Sequence, residues 1–529
     1  MKKIRIYLAA LLLLPGLSSC GDFLDKESYT DQDKEILKTP EGIEALLNGV
    51  YDIFQHANYY GRNLMAYEAA KGNDFFVRVS SGNSFERENR YAESTASSGA
   101  ASGLWLKIYG GIRTATDVIE AIDGVQGMGE DDLHRVEGEA RALRGLAYFD
   151  LMRLFAYPPR FSFPDGEEYN IGATPGAYAW GVPILEGMDM ANNIFDYEVR
   201  RDSAVTVYGY IEGELLEAKR LLTGTASRQG HVNYVAVCGL LARLYLYMER
   251  WDDVVEQGEE ALRAAAGTYR MIPYDTYKTS YYKPFNSENI WELVYSLSDN
   301  NGGNSLNYLV RKPTYENPGA ENDGQVSQAI GYAAYGLFPA TVSLLQSDPD
   351  DVRGYLVCDL GIANKDYKGY RKYVGETYHY VYNQPVIRLP EIYLTLAEAY
   401  LCKEGGSVAL AEPYYNYVRE ARVNTTGFES STVSGALAEV LTERRRELML
   451  EGHNYWDYFR RGETMKRPEL LENANKITIA FGYGSGKSQA RMQVVYPIPL
   501  SELEANKAIR DQQNPGYETY DEVYQTNNE

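Results

Sequence analysis

The stretch from His231 to Ala266 constrains the fold more than any other part of the chain. Apolar residues recur there at helical spacing in two runs parted by Glu249 and Arg250, which predicts two helices folded back on each other. Asn233 is placed to cap the first helix, with Ala236, Leu240 and Leu244 facing inward. Ala242 stands three residues before Tyr245, so a neighbouring helix can approach closely beside the ring. Trp251, Val255, Gly258 and Leu262 form the expected buried stripe of the second helix. One such hairpin cannot cover both its faces, so further copies are required. The small-x-x-Tyr pattern returns at Gly145–Tyr148 and at Ala397–Tyr400, within apolar helical runs. The copies lie much further apart than the roughly 34 residues of a tandem array, so long insertions leave the scaffold between them.

The predicted architecture is mainly α: a tetratricopeptide-like helix-hairpin scaffold carrying a large irregular lobe of loops and short strands. The scaffold is expected at about 39–54, 104–157, 203–266 and 385–460, and the irregular lobe at about 55–103, 269–384 and 461–529. Thr39-Pro40 opens a helix with an N-cap and a proline at its first position. Another helix is expected to run from Leu104 to Ile122 and to stop at Asp123-Gly124, and its partner carries Val136 to Leu154. Ser203–Leu222, Pro385–Cys402, Val408–Val423 and one long helix from about Ala436 to Phe459 complete the expected helical set. Between Gln55 and Gly103 the periodicity fails, and between Tyr269 and Tyr382 tyrosines are dense.

The N-terminus reads as a targeting segment over residues 1–19: basic Lys2, Lys3 and Arg5, an apolar run from Ile6 to Leu14 too short to span a bilayer, then Leu17-Ser-Ser-Cys20. A cysteine directly after Leu-Ser-Ser resembles the lipobox of bacterial lipoproteins, which implies acylation of Cys20 and a polar tether over residues 20–38. Several acyl chains hold a protein firmly on a membrane where one does not. A formal charge of -22 argues against nucleic acid and polyanionic ligands. Cys238 and Cys402 fall on predicted core helices and Cys358 near a loop, a pattern of buried thiols rather than a disulfide framework.

Six segments in one order resemble the RagB/SusD family of outer-membrane nutrient-binding lipoproteins. They are the acylation site with Gly21-Asp-Phe-Leu-Asp25, Thr39-Pro-Glu-Gly-Ile-Glu-Ala-Leu-Leu-Asn-Gly-Val-Tyr51, Glu137-Gly-Glu-Ala-Arg-Ala-Leu-Arg-Gly-Leu-Ala-Tyr148, and Arg388-Leu-Pro-Glu-Ile-Tyr-Leu-Thr-Leu-Ala-Glu-Ala-Tyr400. Glu443-Arg-Arg-Arg-Glu-Leu-Met-Leu-Glu-Gly-His453 with Trp456, and Tyr496-Pro-Ile-Pro499 with Gln513-Asn-Pro-Gly-Tyr517, complete the set. The resemblance implies residues 39–529 as one SusD-like domain, a lipid anchor in the outer membrane facing the cell exterior, an oligosaccharide ligand, and a SusC-like TonB-dependent transporter as partner. The same helices would equally serve a protein- or peptide-binding scaffold, and a surface glycosidase is the other rival.

Catalytic patterns are sparse. Gly482-Tyr-Gly-Ser-Gly-Lys-Ser488 lacks the first glycine of a phosphate loop, Phe481 standing in its place, and reads as a surface loop. The five histidines, His56, His134, His231, His379 and His453, show no metal-ligand spacing, and no Gly-x-Ser-x-Gly elbow occurs. No cofactor and no enzyme activity are expected. Asp299-Asn-Asn-Gly302 and Asp348-Pro-Asp-Asp351 are oxygen-rich, with solvated turns the expected reading and structural calcium the alternative. Glu443 to Glu451 reads as structural, since its acids and arginines alternate at helical spacings that pair.

A sugar ring has an apolar C–H face bounded by hydroxyls, which calls for an aromatic ring with amide, carboxylate and guanidinium groups at its edge; tyrosine supplies both ring and polar tip. Two insertions offer that mixture: Asp74, Phe76, Arg78, Arg90 and Tyr91 in the first, and Tyr281, Tyr282, Asn307, Tyr308, Tyr332 and Tyr335 in the second. The competing use of any one of these rings is as filler for the lobe's own core. Intact-mass measurement of the native protein is expected to show loss of residues 1–19 and added acyl mass on Cys20. A mature chain beginning elsewhere would refute the anchor.

Overall fold

The computed structural model describes residues 36–78, 85–166, 178–185, 199–310, 331–360, 362, 364–373, 375, 380–467, 478–480 and 493–525. Cys20, the expected targeting segment, His379 and the loop from Gly482 to Ser488 lie outside the described residues.

Helix α1 (Pro40–Gln55) starts where Thr39 accepts from the Gly42 amide at 3.1 Å, with proline at a position that needs no donor. Helix α2 (Asn63–Lys71) is buried along its whole length. Its apolar residues therefore show no amphipathic period, and the expected loop over 55–103 instead contains a core helix. The scaffold continues with α3 (Ala101–Ala121), α4 (Glu130–Phe155), α5 (Ala204–Leu222), α6 (Tyr234–Tyr247), α7 (Trp251–Ala265), α8 (Leu389–Cys402), α9 (Val408–Val423), α10 (Val433–Glu447) and the short α11 (Asn454–Arg460). Packing runs from neighbour to neighbour: α1 on α3, α3 on α4, α4 on α5, α5 on α6, α6 on α7, α7 on α8, and α8 on both α9 and α10. This is the expected helix-hairpin scaffold.

The repeated small residues act as expected. A Cβ on Gly145 would sit 3.2 Å from the Leu215 side chain of α5, so the glycine sets how closely α4 and α5 approach. In the central hairpin Asn233 caps α6 through the Ala236 amide at 3.0 Å. The stripe of α7 is shifted by one residue from expectation: Val254, Gly258, Ala261 and Ala265 are buried, whereas Trp251, Val255 and Leu262 are half-buried at its flanks. Cys238 and Cys402 lie on helices and burial pushes their thiols up, to about 12 and about 11, as expected of inert groups.

Two expected helices end elsewhere. Pro385 belongs to strand β6 (Gln384–Arg388), which pairs antiparallel with β2 (Asn289–Leu293), so helix α8 begins only at Leu389. The long helix expected to reach Phe459 breaks between α10 and α11, where Leu450 and Gly452 both take left-handed backbone at φ 64° and 77°. The remaining described strands are short. β1 (Phe75–Val77), β3 (Tyr335–Leu337), β5 (Lys368–Tyr370) and β4 (Val357–Asp359) form one antiparallel sheet in that order, while β7 (Thr464–Lys466) pairs with β8 (Thr478–Ala480).

A buried ionic cluster joins the strands and loops to the helices. Glu447, at the end of α10, accepts from Arg422 of α9 at 2.9 Å, Arg388 of β6 at 3.0 Å and Arg353 of a 3₁₀ turn at 3.2 Å. Arg422 also binds Glu288 at 2.7 Å, Arg353 binds Glu443 at 2.6 Å, and Arg388 binds Glu451 at 2.6 Å. Burial opposes the charge on Glu447, yet the guanidinium groups of Arg422, Arg388 and Arg353 hold its carboxyl well below the usual range. Against the same burial, Arg460, Arg461 and Arg444 hold Glu398 at about 2.

Glu447→Gln leaves three buried cations short of a counter-charge and is expected to cost about 3–5 kcal/mol. Both acids have depressed folded values, so their contribution is complete above the unfolded carboxylate pKa and is lost as pH falls from about 4.5 toward 2. Melting temperature measured against pH is expected to fall over that window in the parent and to fall less steeply in Glu447→Gln. Equal slopes would contradict the assigned coupling.

Candidate functional site

The second insertion is held against the helical scaffold at one helix end. The last carbonyl of α1, at Gln55, has no partner within its helix. It accepts from the Tyr295 hydroxyl at 2.7 Å and from Asn301 Nδ2 at 2.8 Å, while Gln55 Nε2 donates to Val294 O at 2.5 Å. Gly61 makes this approach feasible: a Cβ there would lie 2.2 Å from Asn301 Nδ2 and 2.3 Å from Gln55 O. The loop after β2 is thereby pinned, and it leads into a single helical turn, Leu306–Val310.

That turn carries Tyr308, which meets Tyr332 of the following described segment. Tyr308 and Tyr332 have ring centroids 6.1 Å apart at an interplanar angle of 56°, and Tyr332 is half exposed. The Tyr332 amide donates to Tyr308 O at 2.7 Å, which fixes the two residues relative to each other. Gly303 lies beneath, where a Cβ would stand 3.8 Å from the Tyr332 hydroxyl and 3.9 Å from Tyr308 Cε1. Arg62 flanks the pair: its Nη1 donates to Asn304 Oδ1 at 3.3 Å and its Nε to Asn63 Oδ1 at 2.8 Å, and burial draws its pKa down from the ordinary arginine value. On the other side Arg78 Nη1 donates to Ala333 O at 2.9 Å, bracing the left-handed Ala333 next to Tyr332. Two tilted rings edged by amides and guanidinium groups suit a ligand with apolar faces and hydroxyl rims.

Tyr281 and Tyr282 stand elsewhere, on a recess lined also by Asn289, Glu292, Lys372 and Asn383. Tyr281 stacks on Tyr277 at 5.4 Å and 19°, and donates to Arg371 O at 3.2 Å; Tyr282 meets Tyr281 edge-on at 82°. Buried Asn307 ties the two places together, because its Nδ2 donates to the carbonyl of Tyr373, another lining residue, at 3.4 Å.

The other sequence candidates are placed differently. Asp74 is buried and accepts from Arg445 at 2.7 Å and Asn454 at 2.6 Å. Phe76 packs edge-on against Phe338 and Tyr367, and Tyr91 is buried with its hydroxyl on Lys71 O at 2.7 Å. Tyr335 is fully buried and donates to Ala66 O at 3.0 Å. Arg90 is exposed and pairs with Glu86 at 2.5 Å. The structure therefore brings Tyr308, Tyr332 and Arg78 to one surface and Tyr281 and Tyr282 to a second, with Asp74, Phe76, Tyr91, Asn307 and Tyr335 in the frame. Arg62, Asn304, Asn289 and Asn383 carry no sequence signal of their own; Asn304 lies just beyond the oxygen-rich Asp299-Asn-Asn-Gly302. Of the oxygen-rich turns, Asp351 is engaged by Arg353 at 2.8 Å, and Asp348 closes a turn on the Asp350 amide at 2.9 Å.

Comparison with known proteins agrees with this fold. Residues 361–517 match the SusD family model, and residues 22–246 match a SusD-like model described as starch-binding associating with outer membrane. SusD-like protein P2 of Formosa agariphila is 22% identical, over 98% of this chain and all of that protein. A SusD superfamily protein from Bacteroides thetaiotaomicron is 26% identical with a TM-score of 0.75, covering 90% of this chain and all of that one. A putative sugar binding protein from Bacteroides vulgatus, also 26% identical, gives a TM-score of 0.73 over 91% of this chain and 99% of that one. A laminarin binding SusD-like protein shares the fold at 24% identity and a TM-score of 0.67, over 91% of this chain and all of that one. With matching segments at both ends, relatives aligned along nearly their whole length and the same helical scaffold, the chain belongs to the SusD/RagB family.

Proposed function

We propose that this protein captures an oligosaccharide at the cell surface and passes it to a SusC-like TonB-dependent transporter, performing no chemistry on it. The observation that carries the reading is the Tyr308–Tyr332 pair, half open to solvent on a surface edged by Arg62, Asn304 and Arg78. The description of the family model matched over residues 22–246, starch-binding associating with outer membrane, supports both the ligand class and the location. An acylated Cys20 would keep a large body over its membrane partner at high effective concentration.

Tyr308→Ala and Tyr332→Ala are each expected to weaken glycan binding by about 1–3 kcal/mol, by analogy with bases stacked on aromatic side chains. Calorimetry against a glycan panel checks this, and product analysis after long incubation is expected to show the sugars uncleaved. Folded variants that bind every ligand as the parent does would remove the pair from the site. Gentle detergent extraction is expected to co-purify a large outer-membrane barrel, and repeated recovery of the lipoprotein alone would count against the partner.

A further inference from the structure

The recess beside Tyr281 and Tyr282 has its own chemistry. Asn289 lines it, is only 8% exposed, and its Oδ1 has no hydrogen-bond donor among the described residues. The amide orientation follows from its neighbour, since Asn289 Nδ2 donates to Glu292, which also accepts from the Phe285 amide at 2.6 Å and Asn383 Nδ2 at 2.5 Å. A carboxylate that takes three donors accepts only, so the Asn289 oxygen is left over. Asn383 is fixed in turn, because its Oδ1 accepts from the Tyr295 amide at 3.1 Å.

Lys372, Glu288 and Arg388, three of the charged groups around the recess, are already paired. Lys372 Nζ donates to Glu447 O at 2.7 Å, to Met449 O at 3.2 Å and to the Glu451 carboxylate. Glu288 and Arg388 belong to the buried ionic cluster, which leaves solvent-exposed Lys283 as the cation at the rim. The interior offers about 40 Å³, space for a few water-sized groups such as a hydroxymethyl arm. The rim carries two tyrosine rings at 82°; between the lining residues Pro284 and Asn286, Phe285 takes left-handed backbone at φ 54° and donates its amide to Glu292 at 2.6 Å. A bulky residue in that conformation persists only where its surroundings impose it.

We infer that this recess is a second subsite, separate from the Tyr308–Tyr332 surface, that takes the primary hydroxyl arm of a neutral hexose, with the O–H donated to Asn289 Oδ1 and the sugar ring laid on the tyrosine rim. The inference rests on the glycan-binding reading and deepens it: it selects hexose polymers with free hydroxymethyl groups over xylopyranose polymers, whose ring closes through C5 and leaves no such arm, and over charged sugars.

The test measures binding of the chain without its first 19 residues to a panel of neutral hexose polymers, xylan and a uronic-acid polymer. The same measurements are made on Asn289→Leu, Tyr282→Ala and Tyr308→Ala, with melting curves to confirm folding. The parent is expected to bind a hexose polymer, and Asn289→Leu to weaken it about tenfold, the worth of one hydrogen bond to a ligand hydroxyl. Tyr282→Ala, which keeps the Glu292 cluster whole, is expected to weaken the same polymer and serves where the leucine variant does not fold. Binding of xylan or the uronic-acid polymer in preference to hexose ones, or parent-like binding by both recess variants while Tyr308→Ala is impaired, overturns the subsite and leaves the glycan-binding reading standing. Binding of no glycan by the parent overturns both.

Discussion

Arg353, Arg388 and Arg422 converge on the carboxylate of Glu447 in a region closed to water, and the placement of the irregular segments depends on that convergence. Taking so many charges out of water is unfavourable in itself, and the cluster is tolerable only because each guanidinium finds acids in a matching geometry. Its effect is on position more than on net stability. The three arginines come from a 3₁₀ turn, a strand and a helix, so a shift of any one of these elements would leave a charge unpaired. An apolar contact at the same place would tolerate sliding; fork-shaped donors do not.

The same cluster forms the back wall of the recess through Lys372, Glu288 and Arg388, so the rigid part of the molecule and a candidate binding surface share residues. At the other surface the support is a helix end. The terminal carbonyl of Gln55 receives Tyr295 and Asn301, and the strand Asn289–Leu293 reaches Tyr308 and Tyr332 through that pinned loop. Both surfaces are thus irregular segments fixed to a regular frame, an arrangement that lets loops vary without loosening the core.

Local features were legible in the residues, and features set by distant partners were not. The Thr39 and Asn233 caps formed as their neighbours required, because a cap needs only a side-chain oxygen and the next turn. The glycine at 145 was legible as a close-approach position for the same reason. Helix Asn63–Lys71 was hidden because it is buried on every side and so has no polar face. Pro385 resembled a helix start, but the true first-turn proline is Pro390, and only pairing with Asn289–Leu293 makes the earlier one a strand residue. The break at Leu450 has no local signature, since leucine does not favour left-handed backbone. For the site, tyrosine density marked the segments that carry the surface rings Tyr308 and Tyr332. It could not separate Tyr335, sealed in the core, from Tyr332 three residues earlier, which is half exposed, because that difference is made by Ala66 and by the sheet around it. Arg62 was invisible because its partner Asn304 lies 242 positions away, and Asn289 because the recess it lines is completed by Lys372, Asn383 and Arg388 from far along the chain.

On the proposed function, ligand meets the irregular segments at Tyr308 and Tyr332 and leaves the helical hairpins bare. A crystal structure of the mature chain with a bound oligosaccharide tests it most directly. Sugar density is expected on one or both of these rings, with hydroxyls within hydrogen-bond distance of Arg62 or Asn304. Sugar density lying instead along the faces of the helices from Ala204 to Ala265, with the tyrosine pair unoccupied, would contradict it.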